Sequence, residues 1–368
     1  MLNNFFSTSY SQARQHLVRL LDETGHKHEA FANPSSGPDG VQLTTDVIFV
    51  GEESARKLVV VISGTHGVEF YCGSACQLGW LTQFDASDIP GDIALLFIHC
   101  INPYGAAWRR RVNEDNVDLN RNFVDHDKPC YQNPWYDELH DYLLPESLTG
   151  PAYEEVKTRL ADFRKTKGEQ AFLTGLLGQY SHADGFYYGG QQAVWSNLTL
   201  RKIINRYCKN RAEIAVIDLH TGLGPFGYGL PGVLADAGSK DAKRAAQWYG
   251  RSVTTFTEVA QRMDFPDYSE LCAGFLLNAF RQDLADKELM LIAVEFGTFA
   301  YDIVLKAEIA DAYLYNNPQL AAGEAERIRS ELLHVYYPNT QDWQEMIWWR
   351  YLQILQQTFT GLSGERGA

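Results

Sequence analysis

A histidine and a glutamate three residues apart, His66 and Glu69, follow directly on the apolar run KLVVVIS. A catalytic zinc site takes three nitrogen, oxygen or sulfur ligands from the protein and keeps one position open for water. Gly64 and Gly67 would let the backbone turn tightly, so that both side chains face one ion. The pair is therefore a candidate for two of the three ligands.

The His-x-x-Glu spacing is a weak signal when it is taken alone. Ten histidines and 46 acidic residues in a chain of 368 give roughly one such pair by chance. His26 and Glu29 have the same spacing in a charged stretch that no apolar run precedes. The position of His66 and Glu69 after a buried strand therefore distinguishes them, more than their spacing does.

Two further polar residues lie at the ends of apolar runs, His220 in AVIDLH and Glu295 in IAVEFG. His220 either completes a set of two histidines and one carboxylate or caps a helix or turn. Glu295 lies in an apolar run, where an unpartnered carboxylate carries a large desolvation cost. A buried ion pair and a general base beside a metal would both explain it.

The elements that must position these residues follow from hydrophobic periodicity. Continuous apolar runs at 57–63, 93–100, 212–219 and 289–296 predict strands covered on both faces, and 41–49 alternates like a half-buried strand. Helical spacing covers 9–22, 69–80, 241–249, 269–282 and 339–361. This alternation predicts an α/β fold with three α/β/α layers and a mixed, largely parallel central sheet. Ligand sites in such sheets form beyond the carboxyl ends of the strands.

No linker or internal repeat divides the chain, so we expect one domain over 1–368. Its core is predicted at about 40–300, with a helical insert at about 136–195 and a C-terminal helical extension at about 301–368. The polar stretch 102–135 is too long for an ordinary connection, which marks it as functional or disordered.

Composition excludes several classes of function. The formal net charge is −14 and the tightest basic run is only Arg109 to Arg111, so binding to nucleic acid is not expected. We find neither a signal peptide nor the roughly 18 consecutive apolar residues of a membrane span. The six cysteines form no CxxC pair and are interpreted as reduced, buried residues. We expect a cytoplasmic protein.

The loop INPYGAAWRRRVNEDNVDLNRNF follows the strand predicted at 93–100. The ordered set is then His-x-x-Glu, NPxG, an Arg before Asp-x-Asn-Arg-Asn-Phe, a strand ending in His and a strand carrying Glu. This set resembles the zinc carboxypeptidase superfamily, including its aspartoacylase and succinylglutamate desuccinylase relatives. The resemblance covers about 45–300, although 126–210 and 300–368 match none of its motifs.

The resemblance implies a role for each residue of the set. It implies one zinc ion bound by His66, Glu69 and His220, with Glu295 as the general base. It also implies that Arg111 donates to the oxyanion and that Asp118 orients the first histidine. Asn120 and Arg121 would bind a substrate carboxylate. Arg110 is a less favoured substitute for Arg111. Without the resemblance, these arginines would be interpreted as a solvated run and residues 118–121 as a polar turn.

The function implied is that of a zinc-dependent metallopeptidase of carboxypeptidase type, acting on a small peptide-like substrate with a free carboxylate. The alternative is a deacylase of N-acyl amino acids, because IDLHTG and the sequence around Glu295 look more like that branch. The spacing from Arg111 to Asn120 looks more like the peptidases. A zinc-binding scaffold without catalysis is a third class, which a missing base or arginine would favour.

Some residues have no assigned place in this scheme. A tyrosine near the scissile bond could be Tyr187, Tyr188, Tyr228 or Tyr268, and each could equally be a packing residue. His182 is a candidate for substrate contact or an ordinary surface histidine. The segment TGLGPFGYGLPG after His220 is either a mobile rim or a set of turns. The oligomeric state and a second metal are left open.

Overall fold

The computed structural model describes residues 5–262 and 272–364. Its described part contains an eight-stranded sheet with the order β1-β2-β4-β3-β5-β8-β6-β7. The strands are β1 (Lys27–Ser36), β2 (Gln42–Val50), β3 (Lys57–Ile62), β4 (Ile93–His99), β5 (Glu213–Gly222), β6 (Gly229–Val233), β7 (Thr254–Thr255) and β8 (Glu288–Gly297). The four central strands β4, β3, β5 and β8 are mutually parallel. β2 and β6 run antiparallel to β4 and β8.

Helices cover both faces of this sheet, which confirms the three-layer class. They are α1 (Tyr10–Thr24), α2 (Phe70–Gln83), α3 (Pro103–Trp108), α4 (Pro134–Leu143), α5 (Gly150–Lys167), α6 (Glu169–Gly175), α7 (Trp195–Tyr207), α8 (Lys240–Tyr249), α9 (Phe256–Arg262), α10 (Leu277–Asp283), α11 (Tyr301–Asn316), α12 (Ala322–Tyr336) and α13 (Gln341–Ser363). α1, α2, α8 and α13 pack on one face, and α7 and α10 pack on the other. Because both faces are covered, the central strands are continuous apolar runs.

The predicted strand at 41–49 is present as β2, but the expectation that it is half-buried is wrong. Residues 43–50 are all buried. One set of its side chains, including Ile48, packs under α1 and α2, and the other set, including Val47, joins the core under α7. Of the helix predicted at 269–282, residues 269–271 lie outside the described residues, and the rest contains α10 except for its last residue, Asp283.

The segments outside the motif-bearing core also contribute to packing. α4, α5, α6 and α11 share a separate apolar cluster that includes Tyr136 and Phe172. The long helix α13 lies against the sheet, where Trp343 and Trp348 are buried in the same cluster as α1 and α2. None of the helices in 5–262 and 272–364 is both long and apolar enough to cross a membrane.

Replacing Trp343 by alanine should lower the free energy of unfolding by about 3–5 kcal/mol, since a large buried side chain is removed. Trp343 is fully buried, and its indole Nε1 donates to the carbonyl of Gly297 at 3.0 Å. Trp349, on the same helix, is 65% exposed, and its replacement should change stability by about 0.5 kcal/mol or less. Urea unfolding of both variants measures the difference. Equal effects would contradict the placement of α13 as a core helix.

Candidate active site

Three side chains from separate parts of the chain converge at the carboxyl ends of the central strands. His66 lies in the turn after β3, Glu69 immediately precedes α2, and His220 lies within β5. Nδ1 of His66 is 2.8 Å from Oε1 of Glu69, and Nδ1 of His220 is 2.9 Å from Oε2. One donor atom from each residue lies within 4.8 Å of the others, and all three residues are buried.

The turn that carries His66 and Glu69 depends on two glycines for different reasons. Gly64 has φ of +74°, a left-handed conformation that glycine adopts without a Cβ clash. Gly67 has no such φ, but a Cβ there would lie 2.0 Å from the carbonyl carbon of Gly105 in α3. Its N–H donates to the carbonyl of Arg111 at 3.0 Å. The ligand turn and the arginine loop are therefore fixed to each other by the backbone.

Each imidazole has a carboxylate on its other nitrogen. Asp118 Oδ1 is 3.1 Å from His66 Nε2, and Asp218 Oδ2 is 2.8 Å from His220 Nε2. Thr65 in turn donates to Asp218 Oδ1 at 2.7 Å. With an ion bound, such carboxylates would hold the proton on Nε2, which leaves Nδ1 of each ring as the ligand atom.

These residues fit a divalent cation of the zinc class. Burial acts to raise the pKa of Glu69, but the charge of His66 and the hydrogen bonds from His220 and His66 outweigh it and lower that pKa below its usual range. The carboxylate is therefore ionised between two imidazole nitrogens, and two nitrogens and a carboxylate are a donor set that zinc accepts. The structure thus brings together the three predicted ligands.

Glu295 is the partner of His220 in the parallel pairing of β5 and β8. Its Oε1 accepts a hydrogen bond from the backbone N–H of Leu223 at 3.0 Å, and no cationic side chain within 5–262 and 272–364 forms an ion pair with it. Burial, followed by the negative charge of Glu69, raises its pKa. The residue is half-buried rather than buried, so it retains access to solvent. Of the two explanations from sequence, this geometry favours the base over an ion pair.

The three consecutive arginines have different environments. Arg109 pairs with Glu326 at the surface, and Arg110 forms a buried ion pair with Asp311 at 3.1 Å. Arg111 alone enters the site, where Nε is 3.1 Å from Asp118 Oδ2 and Nη2 is 2.9 Å from His66 Nε2. When Nε2 carries the proton that it donates to Asp118, Nη2 of Arg111 is left for another acceptor.

The sequence analysis did not identify two residues that lie beside Arg111, namely Tyr336 and Glu308. The hydroxyl of Tyr336 lies 3.2 Å from Arg111 Nη1 and donates to Glu308 at 2.6 Å. Tyr187 donates to the other oxygen of Glu308, also at 2.6 Å. Glu308 and Tyr336 lie on α11 and α12, in a region that no motif covers. Their spacing in the sequence does not indicate that they meet in the site. Asp218, in contrast, could have been predicted, because it lies two residues before His220 and therefore on the same side of the strand.

Asn120 and Arg121 lie next to this centre, but backbone groups occupy much of their polar surface. Asn120 Oδ1 accepts from the N–H of Leu276 at 2.8 Å. Arg121 donates to the carbonyls of Leu177 and Asn120. Its guanidinium also lies 5.5 Å from the ring centroid of Phe275. Their predicted binding of a carboxylate stays a prediction.

The remaining candidates are spread over the molecule. Tyr188 is buried, and its carbonyl accepts from the N–H of Asp118 at 2.9 Å. Tyr228 is exposed near Arg350, and Tyr268 lies outside the described residues. His182 is 2.9 Å from Asp137 on α4.

The segment after His220 is neither wholly a rim nor only turns, because its last four residues begin β6, which pairs with β8. β5 itself continues to Gly222, so His220 lies in a strand and is not a cap. The pair His26 and Glu29, which has the same spacing, lies away from this site. Glu29 contacts Arg206 and Tyr207 at the edge of the sheet.

One protein-family model matches most of this chain. The model of the family described as "Protein of unknown function (DUF2817)" matches residues 6–350. This chain belongs to the DUF2817 family. None of the curated proteins compared with the DUF2817 chain matches it.

Solved structures are similar to this DUF2817 protein in overall arrangement. Carboxypeptidase A from Helicoverpa armigera is 14% identical, with 90% of this chain and 74% of that chain covered at a TM-score of 0.48. Murein-tripeptide amidase MpaA from Escherichia coli O157 is 17% identical (82% and 91% covered, TM-score 0.36). A succinylglutamate desuccinylase from Silicibacter sp. TM1040 is 11% identical (80% and 66% covered, TM-score 0.39). The chemistry of the site rests on its own residues.

Proposed function

We propose that this protein is a zinc-dependent hydrolase of peptide or amide bonds, with the ion held by His66, Glu69 and His220. The observation that carries the proposal is the convergence of these three buried side chains, with Glu295 beside His220 on the neighbouring strand. When bound, zinc would supply Lewis-acid chemistry, lowering the pKa of a water molecule and polarising a carbonyl.

The protein side chains would then carry the proton and the developing charge. Glu295 takes a proton from the attacking water and passes it to the leaving nitrogen. Its carboxylate is already oriented by the N–H of Leu223. Arg111 turns Nη2 from His66 to the oxyanion, and Asp118 and Tyr336 hold the other side of its guanidinium. Both a base and a donor are present, which argues against a scaffold without catalysis.

For the substrate, we propose a small peptide with a free carboxylate, cleaved in the manner of a carboxypeptidase. The support is the position of Arg121 close to the site, since Tyr187 lies near the guanidinium of both Arg111 and Arg121. A planar guanidinium can bind both oxygens of a carboxylate. A deacylase of N-acyl amino acids is the second candidate, favoured by the IDLHTG sequence of β5.

A substrate panel separates these two functions. The zinc-loaded protein is incubated with short peptides, with the same peptides amidated at the C-terminus, and with N-acetyl and N-succinyl amino acids. Release of C-terminal residues from the free acids alone supports the peptidase. Release of acetate or succinate with intact peptides supports the deacylase, and no hydrolysis in any arm contradicts the proposed function.

Arg111→Ala should lower kcat by about 10²–10³-fold, because one donor to the oxyanion is lost. Bound zinc should be retained, since Arg111 is not one of the three ligands. The matched control is Arg109→Ala, because Arg109 is the neighbouring arginine but pairs with Glu326 outside the site. Steady-state kinetics with elemental analysis measure both quantities. Equal activity of the two variants would remove Arg111 from the mechanism.

A further inference from the structure

A second group of potential ligands lies on the helical insert. His140 is near the end of α4, and His182 and Asp184 lie in the segment between α6 and α7. The two imidazole centroids are 3.9 Å apart and their planes differ by 27°. Donor atoms of the three residues all lie within 4.8 Å of one another. No step of the proposed hydrolysis uses this group.

The distances within the group suit coordination better than hydrogen bonding. Nε2 of His140 is 3.6 Å from Oδ1 of Asp184, which is too long for a hydrogen bond. A tetrahedral ion with bonds of about 2.0–2.1 Å holds its ligand atoms about 3.3 Å apart. The separation is therefore close to that of two atoms sharing one ion.

The nitrogen atoms of both rings are placed for an ion. Nε2 of His140 is the ring nitrogen that lies toward Asp184, at 3.6 Å from its Oδ1. Nε2 of His182 lies 2.9 Å from Asp137 Oδ1, and this carboxylate would orient the ring and leave Nδ1 as a ligand atom.

The charge of the surroundings also favours a cation. Asp137 Oδ1 lies 2.9 Å from His182 Nε2 and Asp184 Oδ1 lies 3.6 Å from His140 Nε2, so a carboxylate borders each of the two rings. A divalent ion would neutralise the carboxylates and hold the two neutral rings together.

We propose that His140, His182 and Asp184 form a second zinc-class cation site, with Asp137 as the group that orients His182. The site is structural. It joins α4 to the segment before Tyr187 and Tyr188, whose contacts reach Glu308 and Asp118. The ion would therefore stabilise one wall of the candidate active site without contacting a substrate.

The experiment counts zinc per chain after dialysis of the full-length protein against buffered zinc. We expect wild type to bind a second equivalent beyond that of the His66 site. His182→Ala and Asp184→Asn should each weaken the second equivalent by at least about 10-fold and leave the first in place. Added zinc should raise the melting temperature of the His220→Ala variant, but not when Asp184→Asn is added to it.

The matched control is His26→Gln, a partly buried histidine outside both groups, which should keep both equivalents. Asp184 is exposed, so Asp184→Asn decides the matter should His182→Ala fail to fold. A single equivalent in wild type that His220→Ala removes would overturn the proposal. A second equivalent that survives both His182→Ala and Asp184→Asn would also overturn it, because the ion would then bind elsewhere.

Discussion

Glu295→Gln is expected to retain zinc at the His66 site and to lose about 10²–10⁴-fold in kcat, the usual contribution of a positioned general base. Glutamine keeps the shape of the side chain, and its amide oxygen can still accept the hydrogen bond from Leu223 that orients Glu295. It cannot take a proton from water. The loss should therefore fall on kcat, while KM and the zinc content stay close to those of wild type.

The control for this experiment lies on the same strand. Glu288 begins β8, carries the same functional group and pairs with Lys240 and Arg244 at the surface. Glu288→Gln should leave kcat unchanged. Steady-state kinetics on the substrate identified by the panel, together with zinc analysis, give the comparison. Near-normal turnover of Glu295→Gln would refute the assigned base, and zinc loss would move Glu295 among the ligands.

The parts of the fold that the sequence predicted well are those where burial leaves a strong pattern. The four central strands are covered on both faces, so each is a continuous apolar run that periodicity can detect. β1 is mostly exposed, and β6 is the short GLPGV segment, so neither carries that pattern. The edges of the sheet were therefore harder to predict than its centre, which holds the ligands.

The candidate site divides in the same way. His66, Glu69, His220 and Glu295 were found because each follows an apolar run or lies near the end of one. Glu308 and Tyr336 were not, since they reach the site from α11 and α12 through tertiary packing. A polar residue on a helix is ordinarily solvated, so its sequence gives no sign that it faces the partly buried guanidinium of Arg111.

The arginine run illustrates why local sequence has limited power. Arg109, Arg110 and Arg111 are chemically identical neighbours, and their roles are decided by Glu326, Asp311 and Asp118, of which only Asp118 is near in sequence. The resemblance to a known motif selected Arg111 from this run. The structure gives the physical reason, because only this guanidinium lies beside the two ligand residues His66 and Glu69.

His220→Ala is expected to lose the zinc of the His66 site and, with it, all measurable turnover. His66 and Glu69 are three residues apart on one turn, and only His220 brings a ligand from a different strand. Two protein ligands do not complete the set of three that catalytic zinc sites use. The measurement is zinc per chain in an Asp184→Asn background, so that an ion on the insert does not mask the loss.

Asp218→Asn should cause a smaller loss of zinc affinity than His220→Ala. Asp218 touches His220 Nε2 at 2.8 Å without being a ligand, so its replacement should weaken zinc about 10–100-fold and still allow full loading at high zinc. His26→Gln should change neither quantity. The test is the order of zinc affinity, which should be lowest in His220→Ala, intermediate in Asp218→Asn and unchanged in His26→Gln. A histidine with only a structural role would lower the stability of the fold without producing this order. Stoichiometric zinc in folded His220→Ala would remove this residue from the site and would leave the proposed hydrolase without its third ligand.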